Sequence, residues 1–327
     1  MLKLSEKRKR FRLFNYSLDG KGVPKDVNEP RNFKFYFKLL GRNLSRLMSI
    51  NMLIVFSNFP ICFVLFGLSG NLNTTSYSPV SSMFGPLYGA MKISGETSPL
   101  TAALNGVHGL QVEISVPTTA TYIMYALGLL VLLTFGLSMV GTTYIVRNIV
   151  KGEPIFLMHD FMYAIKKNFR QALLFGILDL GLCFLIIYDF LFLWANSSLG
   201  YVNSLMFYIA VAIGIIYFVM RYYVYIMMVT FDLSIYKLLK NSFLFSLIGI
   251  KRNILGTIGI FLLALFSYSL LMVFPPLGAI LPFVITIAIG QFTAIYTAWP
   301  KIYSVMIEPY EEEDTTPKEE SIFVDRG

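Results

Sequence analysis

The sequence has few charged residues for its length. Of its 327 residues, 14% are charged and 56% are apolar, whereas a soluble domain usually has about 25% charged residues. So few charges cannot cover the surface of a water-soluble protein of this size, and a soluble fold would expose large apolar patches. A lipid bilayer removes that difficulty because its interior is itself apolar. The composition therefore predicts a membrane protein.

Cysteine and histidine are also scarce. The two cysteines, Cys62 and Cys183, lie inside apolar runs, where a thiol behaves as a small apolar side chain. The two histidines, His108 and His159, have no Cys or His neighbour at the spacing of metal ligands. We therefore expect neither a disulfide framework nor a metal site.

The short motifs of common catalytic and nucleotide-binding sites are missing as well. The sequence contains no Walker A phosphate loop, HExxH pair, GxSxG elbow or GxGxxG fingerprint. Asp179, Asp189, His108 and Glu113 do not form an acid, base or metal constellation in the sequence. We therefore predict that the protein is not an enzyme and has no catalytic residues and no cofactor.

Long apolar runs are what the sequence does have. An α-helix needs about 20 residues to cross about 30 Å of hydrocarbon, where its backbone polar groups must be bonded internally. Six runs meet that length, at 47–68, 119–142, 172–194, 203–229, 254–274 and 277–298. Only Pro275-Pro276 separates the last two, which form either a tight hairpin or one kinked span. The sequence thus predicts an all-α polytopic bundle of about six transmembrane helices.

Lysine and arginine are distributed unevenly between the connections. Thirteen precede the first span, five lie between the second and third, four lie between the fourth and fifth, and three follow the sixth. The other connections hold only Lys92. Because basic residues resist translocation, both termini are expected in the cytoplasm, with 69–118, 195–202 and 275–276 outside. This topology accounts for the net charge of +8, so we do not expect nucleic-acid binding.

Two segments flank the six-span domain, which we place at 47–299. Residues 300–327 form an acidic cytoplasmic tail that we expect to be solvated. Residues 1–46 form a basic cytoplasmic segment that either contacts an anionic lipid surface, at about 1 kcal/mol per basic residue, or only fixes the orientation. Its candidate lipid contacts are Lys7, Arg8, Lys9, Arg10 and Arg12.

The outward segment 69–118 is rich in Gly, Ser, Thr and Pro, but it also contains apolar side chains in close order. A flexible linker does not need them. We therefore expect part of the segment to be ordered, as an apolar hairpin over the outer mouth of the bundle. The residues concerned are Met83, Phe84, Leu87, Tyr88 and Met91.

Two inner connections, 143–171 and 230–253, each predict a short cytoplasmic helix. Asp160 in the first and Asp232 in the second are candidate helix caps. The second helix would carry on one face Leu233, Tyr236, Leu239 and Phe243. Such helices lie either along the membrane surface or against a partner protein. The candidate docking residues on them are Asp160, Lys166, Lys167, Asp232 and Lys240.

Three charged residues fall inside the spans, where an uncompensated charge costs at least about 2.5–3.5 kcal/mol. Asp179 and Arg221 lie on adjacent antiparallel spans, each about 12 Å from the inner boundary at 1.5 Å per residue. That equal depth predicts an ion pair. The pair is either a gate on a polar pathway or a clamp that fixes how the two helices align. Asp189 lies nearer the outer interface, where it can reach water.

Three uncharged residues also bear on how the spans pack. Gln291 in the sixth span is expected to hydrogen-bond to another helix. Trp194 lies at the outer end of the third span and Trp299 at the inner end of the sixth. Amphipathic rings are favoured at membrane interfaces, so we interpret both tryptophans as interfacial anchors.

Several short motifs resemble those of a known family. They are Gly141-Thr142-Thr143-Tyr144, Lys151-Gly152-Glu153, Lys166-Lys167-Asn168-Phe169-Arg170-Gln171, Phe231-Asp232-Leu233-Ser234 and Pro300-Lys301-Ile302-Tyr303. Over roughly residues 35–310 the chain resembles the YesL-type family of bacterial integral membrane proteins, whose function is unassigned. Members are often encoded beside sugar-uptake genes, so the resemblance implies a protein of the bacterial cytoplasmic membrane associated with carbohydrate import. The long segment 69–118 departs from the compact connection of many relatives.

Two functions are compatible with these features. The first is an accessory or regulatory subunit of a carbohydrate ABC importer, docking on the permease or the ATPase through the two inner helices. The second is an independent small-solute transporter or channel, which the six spans and the intramembrane charges suggest. The scarcity of polar residues in the spans weighs against the second function.

Overall fold

The structure, a computed structural model, describes residues 31–79, 81–95, 98–109 and 111–310. The helices are α1 (Phe33–Arg42), α2 (Leu44–Ser57), α3 (Ile61–Leu68), α4 (Phe84–Ser94), α5 (Pro99–His108), α6 (Thr119–Gly128), α7 (Val131–Lys151), α8 (Leu157–Ala195), α9 (Tyr201–Thr230), α10 (Ile235–Ile248), α11 (Ile250–Val273), α12 (Pro275–Leu281) and α13 (Ile287–Met306). The strands are β1 (Thr74–Pro79) and β2 (Gln111–Val116). Shorter helical pieces are a 3-10 turn at Ser197–Leu199 and a π-helical segment at Pro282–Thr286.

The described helices include five that are long and apolar enough to cross a membrane. They are Thr119–Lys151, Leu157–Ala195, Tyr201–Thr230, Ile250–Val273 and Pro275–Tyr310. The pair α2 and α3 gives a sixth candidate span if the two helices cross together. The predicted class, an all-α polytopic bundle of about six spans, is confirmed.

The first candidate span is bent, which the sequence did not predict. The axes of α2 and α3 differ by 62°. The break falls at Asn58-Phe59-Pro60, where proline has no N–H for the helical ladder. The run 47–68 is therefore two helices rather than one continuous helix.

Helix α8 joins a predicted cytoplasmic helix to the third span in 39 residues. The backbone leaves helical geometry at Asn168 (φ −111°, ψ 18°), where the side-chain amide donates to the carbonyl of Ala164 at 3.0 Å. The span predicted at 172–194 thus begins just after a kink, which separates it from residues 157–167 of the same helix.

The sequence allowed either a tight hairpin or one kinked span at Pro275-Pro276, and the structure shows a hairpin. Phe274 interrupts the helix with φ −140° and ψ 82°, and Pro275 begins α12. A Cβ added to Gly278 would lie 2.2 Å from Cα of Leu271, so the two arms approach each other closely here. Farther down the hairpin Ser267 lies within 3.3 Å of Thr286, oxygen to oxygen. Residues 300–306 of the predicted tail continue α13.

The outward segment contains a small sheet that the sequence did not predict. Strands β1 and β2 pair antiparallel, with Thr74 opposite Val116, and α4 and α5 lie between them in sequence. Part of the segment is therefore ordered, as expected. Met83 and Tyr88 are exposed, however, so these two residues do not pack as the predicted apolar cap.

The buried core lies in the half of the bundle predicted to face the cytoplasm. It is built from the C-terminal part of α7, residues 219–229 of α9 and residues 288–302 of α13. Helix α1 packs beside α13, where Tyr36 and Thr293 share a hydrogen bond of 2.8 Å. The outer halves of α8 and α9 carry mostly exposed apolar side chains, as expected of surfaces that contact lipid.

Candidate functional site

Arg221 of α9 contacts Asp179 of α8 through both carboxylate oxygens. Its Nη2 donates to Oδ2 at 3.0 Å, and its Nε lies 2.7 Å from Oδ1. The Nε contact is electrostatic because its angle falls outside hydrogen-bond geometry. The structure thus brings together the two residues that the sequence predicted as a pair.

Two tyrosines complete the surroundings of this carboxylate. Tyr217 donates to Oδ1 at 2.7 Å and Tyr225 donates to Oδ2 at 2.6 Å. Tyr217, Arg221 and Tyr225 follow one another at four-residue intervals, which places them on one face of α9. Asp179 itself is fully buried. These bonds compensate a carboxylate that would be costly in lipid, and the pair carries no net charge.

The sequence did not identify the two tyrosines as partners of Asp179. The signal in the sequence was their four-residue spacing on either side of Arg221. However, α9 contains many other aromatic residues, and the sequence alone does not show which of them have a polar partner. Cys183, one turn after Asp179, places its sulfur 3.7 Å from Oδ1. Asp189, by contrast, is exposed on α8 and does not join the cluster.

A close crossing of α7 and α8 sets the position of Asp179. A Cβ on Gly136 would lie 2.0 Å from the carbonyl oxygen of Ala172, and a Cβ on Gly176 would lie 2.5 Å from Cα of Gly136. Only glycine allows backbones to approach so closely. Gly176 precedes Asp179 by one turn, so this crossing fixes the depth and direction of the carboxylate.

Arg147, which entered the sequence analysis only as one of the five basic residues between the second and third spans, joins the ends of α7 and α9. It is buried, and its Nη1 donates to the carbonyl of Val229 at 2.7 Å and to Oγ1 of Thr230 at 3.1 Å. Its guanidinium also lies over the ring of Tyr144, 4.6 Å from the centroid. A cation at a helix C-terminus satisfies carbonyls that have no partner in the helix.

Asn51 of α2 was also missed. Its side chain donates to the carbonyls of Pro282 and Phe283 at 2.9 and 2.7 Å and accepts from the N–H of Ala288 at 2.9 Å. Pro282 and Phe283 are the first two residues of the π-helical segment and Ala288 follows it, and Pro282 interrupts the regular ladder here. Asn51 therefore supplies hydrogen bonds that an irregular backbone needs inside a membrane.

The hydrogen bond expected of Gln291 is confirmed. Its Nε2 donates to Oγ1 of Thr142 at 2.9 Å and to Oγ1 of Thr143 at 3.0 Å, both on α7. Gln291 and Arg221 also line a cavity of about 320 Å³ among α2, α7, α9, α11 and α13. Most of the remaining lining is apolar.

The two tryptophans differ in their surroundings. Trp194 is exposed near the end of α8, as an interfacial anchor would be. Trp299 is 1% exposed, so its interpretation as an anchor is wrong. Its ring packs inside the bundle, with Nζ of Lys151 5.6 Å from the ring centroid.

A groove on the predicted cytoplasmic side brings three candidate docking residues together. The kink of α8 and the connection 231–234 form its walls, and Gln171 donates to the carbonyl of Leu233 at 2.7 Å across them. Its charged lining residues are Lys166, Lys167, Arg170 and Asp232. With three cationic groups and one carboxylate, this basic groove favours an acidic partner.

The other docking residues lie elsewhere. Asp160 does not occupy the N-cap position of α8, which is Phe156; its carboxylate accepts from the N–H of Phe156 at 2.8 Å. That hydrogen bond ties the Asp160 side chain to the start of its own helix. Asp232 is not a cap either, because Ser234 holds the N-cap position of α10. Lys240 is exposed on α10 and does not line the basic groove.

The apolar face predicted for the second inner helix is not the face that packs. Leu238, Ser242, Phe245 and Ser246 are buried, whereas Tyr236 is 74% exposed. The packed face turns toward α9, where Phe245 stacks on Tyr223. Of the predicted face, only Tyr236 and Phe243 are exposed, whereas Leu233 and Leu239 are partly buried against the core.

The candidate lipid contacts Lys7, Arg8, Lys9, Arg10 and Arg12 lie outside the described residues, as does the acidic part of the tail from residue 311. Among the residues that the structure does describe, no three His, Cys, Asp or Glu side chains are grouped as metal ligands. His108 instead lies 2.6 Å from Oγ of Ser81, measured from Nδ1.

Comparison with known proteins adds one finding to this geometry. A family model described as "Protein of unknown function, DUF624" matches residues 116–190. That stretch includes the glycine crossing of α7 and α8 and extends beyond Asp179. No curated protein and no solved structure is significantly similar to the chain.

Proposed function

We propose that this protein is a non-enzymatic subunit of a bacterial cytoplasmic membrane complex that binds a partner through its inner face. The partner class is a carbohydrate ABC importer, of which this chain would be an accessory or regulatory subunit contacting the permease or the ATPase. The observation that carries the proposal is the basic groove, where two separate inner connections converge on one surface. The choice of importer rests on the YesL-type resemblance.

The surface beside the groove has the composition of an interface. Before the kink of α8, Phe156, Met158, Met162 and Tyr163 are exposed, Phe156 by 71%. Aromatic and methionine side chains are enriched in protein interfaces, and exposed apolar patches rimmed by charge mark interaction sites. Cationic groups next to this patch would orient an acidic partner surface.

Affinity purification from the native organism in mild detergent, with quantitative mass spectrometry, tests this proposal. The Lys166→Glu/Lys167→Glu double variant reverses the charge of the groove, and Lys92→Glu on the outward helix α4 serves as control. We expect importer subunits to be recovered with the wild type and with Lys92→Glu, and to be lost with the double variant. Equal recovery from all three proteins, or recovery of no importer subunit from any of them, would contradict the proposal.

An independent small-solute transporter is the second candidate, and the intramembrane cavity is the observation in its favour. A sugar would need many hydrogen-bonding groups around it, whereas the cavity offers few besides Arg221, Gln291 and Thr143. A flux assay in liposomes across a panel of sugars separates the two functions. Uptake by the purified chain alone would favour the transporter.

A further inference from the structure

The intramembrane cavity is lined in part by two helices, α9 and α11, that contact each other near their inner ends. Tyr222 of α9 and Thr257 of α11 approach to 3.3 Å between their hydroxyl oxygens, and residues of both helices line the cavity. Its wall includes Ala264, which is exposed. Ala264 lies 14 residues into α11, about 21 Å from the start at 1.5 Å per residue. The cavity is only partly enclosed, and Ala264 and Ile287 in its lining are exposed on membrane-spanning helices, so its opening faces lipid.

Arg221 gives the cavity a hydrogen-bond donor. Its side chain keeps 21% exposure although Asp179 beside it has none. The contacts to Asp179 use Nε and Nη2, and among the described residues Nη1 donates no hydrogen bond. Asp179 neutralises the guanidinium, so an anion would find no net positive charge here. An uncharged oxygen is the acceptor that suits this group.

Gln291 gives the cavity an acceptor. The hydroxyl of Thr142 donates to the carbonyl of Ser138 at 2.8 Å, so its oxygen acts as the acceptor toward Gln291. That bond fixes Nε2 as the amide atom facing α7. Oε1 is then buried with no hydrogen-bond partner among the described residues, which costs about 1–3 kcal/mol. A ligand hydroxyl that donates a hydrogen bond to Oε1, once the Gln291 side chain shifts toward the cavity, would recover that cost.

We propose that this cavity binds an uncharged hydroxyl-bearing amphiphile from the bilayer, of the long-chain alcohol class. A hydroxyl group both accepts and donates, so one head group serves Arg221 and Gln291 together. The apolar lining holds the first part of the chain, and the remainder extends through the opening. The volume of about 320 Å³ is at the lower end for ligand sites. This inference is independent of the proposed docking function.

Gly290 provides a way to fill the cavity without disturbing the fold. It lines the cavity, and a Cβ added to it meets no atom within 4 Å. Gly290→Leu therefore places a side chain in the ligand's space. Ala264→Leu narrows the opening from the opposite wall, at an exposed position. Gly181→Leu is the matched control, because Gly181 of the membrane helix α8 also has open space around it and does not line the cavity.

The test is photolabelling of the reconstituted full-length protein in phosphatidylcholine vesicles with a diazirine analogue of hexadecan-1-ol. We expect saturable labelling of α9, α11 and α13, lost in Gly290→Leu and Ala264→Leu and kept in Gly181→Leu. Unlabelled hexadecan-1-ol should compete about tenfold better than hexadecane or hexadecanoate. A tenfold difference in affinity corresponds to the net contribution of roughly one hydrogen bond.

Two results would overturn the proposal. One is unchanged labelling in a folded cavity variant; if Gly290→Leu does not fold, Ala264→Leu decides alone. The other is competition by hexadecane or hexadecanoate as strong as by the alcohol, which would mean an unspecific apolar crevice or an anion site.

Discussion

At the scale of single residues, the group that most needs compensation for its burial is the carboxylate of Asp179. It is fully buried, and its bonding partners among the described residues are side chains of α8 and α9. Removing one member of a buried ion pair leaves the other uncompensated, which costs more than removing both. Unfolding of single and double variants measures this asymmetry, and cellular function of a stable double variant separates a gate from a clamp.

We expect Asp179→Asn to lower the free energy of unfolding by about 3–5 kcal/mol, because Arg221 is left without its counter-charge. The Asp179→Asn/Arg221→Gln double variant should recover most of that loss. Thermal or denaturant unfolding of the purified protein in detergent measures both. A double variant no more stable than the single one would show that the loss does not come from the uncompensated charge of Arg221, whereas a stable double variant without cellular function would favour the gate.

Asn51 has a similar structural role at the π-helical segment. We expect Asn51→Leu to destabilise the protein by about 1–3 kcal/mol for each buried backbone group left unpaired, since Pro282, Phe283 and Ala288 lose their partner. Met52→Leu, at the next position of α2 and exposed, is the control and should be nearly neutral. Equal unfolding curves for the two variants would show that another group satisfies this backbone.

The sequence predicted one of these residue-scale features and missed the other. Asp179 and Arg221 could be paired because charges are rare in the spans and these two lie at equal depth. Asn51 could not be assigned, because its role depends on which carbonyls the irregular backbone at Pro282 exposes. Arg147 was missed for the same reason, since its partners lie at the end of a different helix.

At the scale of elements, small residues let helices pack closely, and interruptions in the backbone hydrogen bonding set where helices bend or end. Apolar run lengths predicted the spans because hydrocarbon thickness fixes helix length. They did not predict the bend at Pro60 or the kink at Asn168, which depend on local hydrogen bonds. Strands β1 and β2 were missed because the surrounding segment is polar and carries no long alternation.

The α7–α8 crossing gives the test at this scale. Gly176→Leu should destabilise the bundle by about 3 kcal/mol or more, because the new side chain would meet the backbone of Gly136. Gly181→Leu on the same helix has open space around it and should leave stability nearly unchanged. Size-exclusion profiles and unfolding curves compare the two variants. Equal behaviour would mean that α7 and α8 do not pack as described.

At the scale of the whole molecule, an even number of crossings places both ends of the described chain on one side of the membrane. The bent pair of α2 and α3 decides this number, since the other candidate spans total five. The uneven distribution of Lys and Arg predicts which side is cytoplasmic. The proposed docking surface depends on that orientation, because importer ATPases are cytoplasmic.

Cysteine accessibility in intact cells is the most direct test of that orientation. In a background with Cys62 and Cys183 changed to Ala, single cysteines replace Lys92 on α4, Lys166 on α8 and Lys240 on α10, all exposed positions. A membrane-impermeant maleimide should label Lys92→Cys in intact cells, and Lys166→Cys and Lys240→Cys only after permeabilisation. Labelling of Lys166→Cys or Lys240→Cys in intact cells would place the basic groove outside and contradict the proposed function.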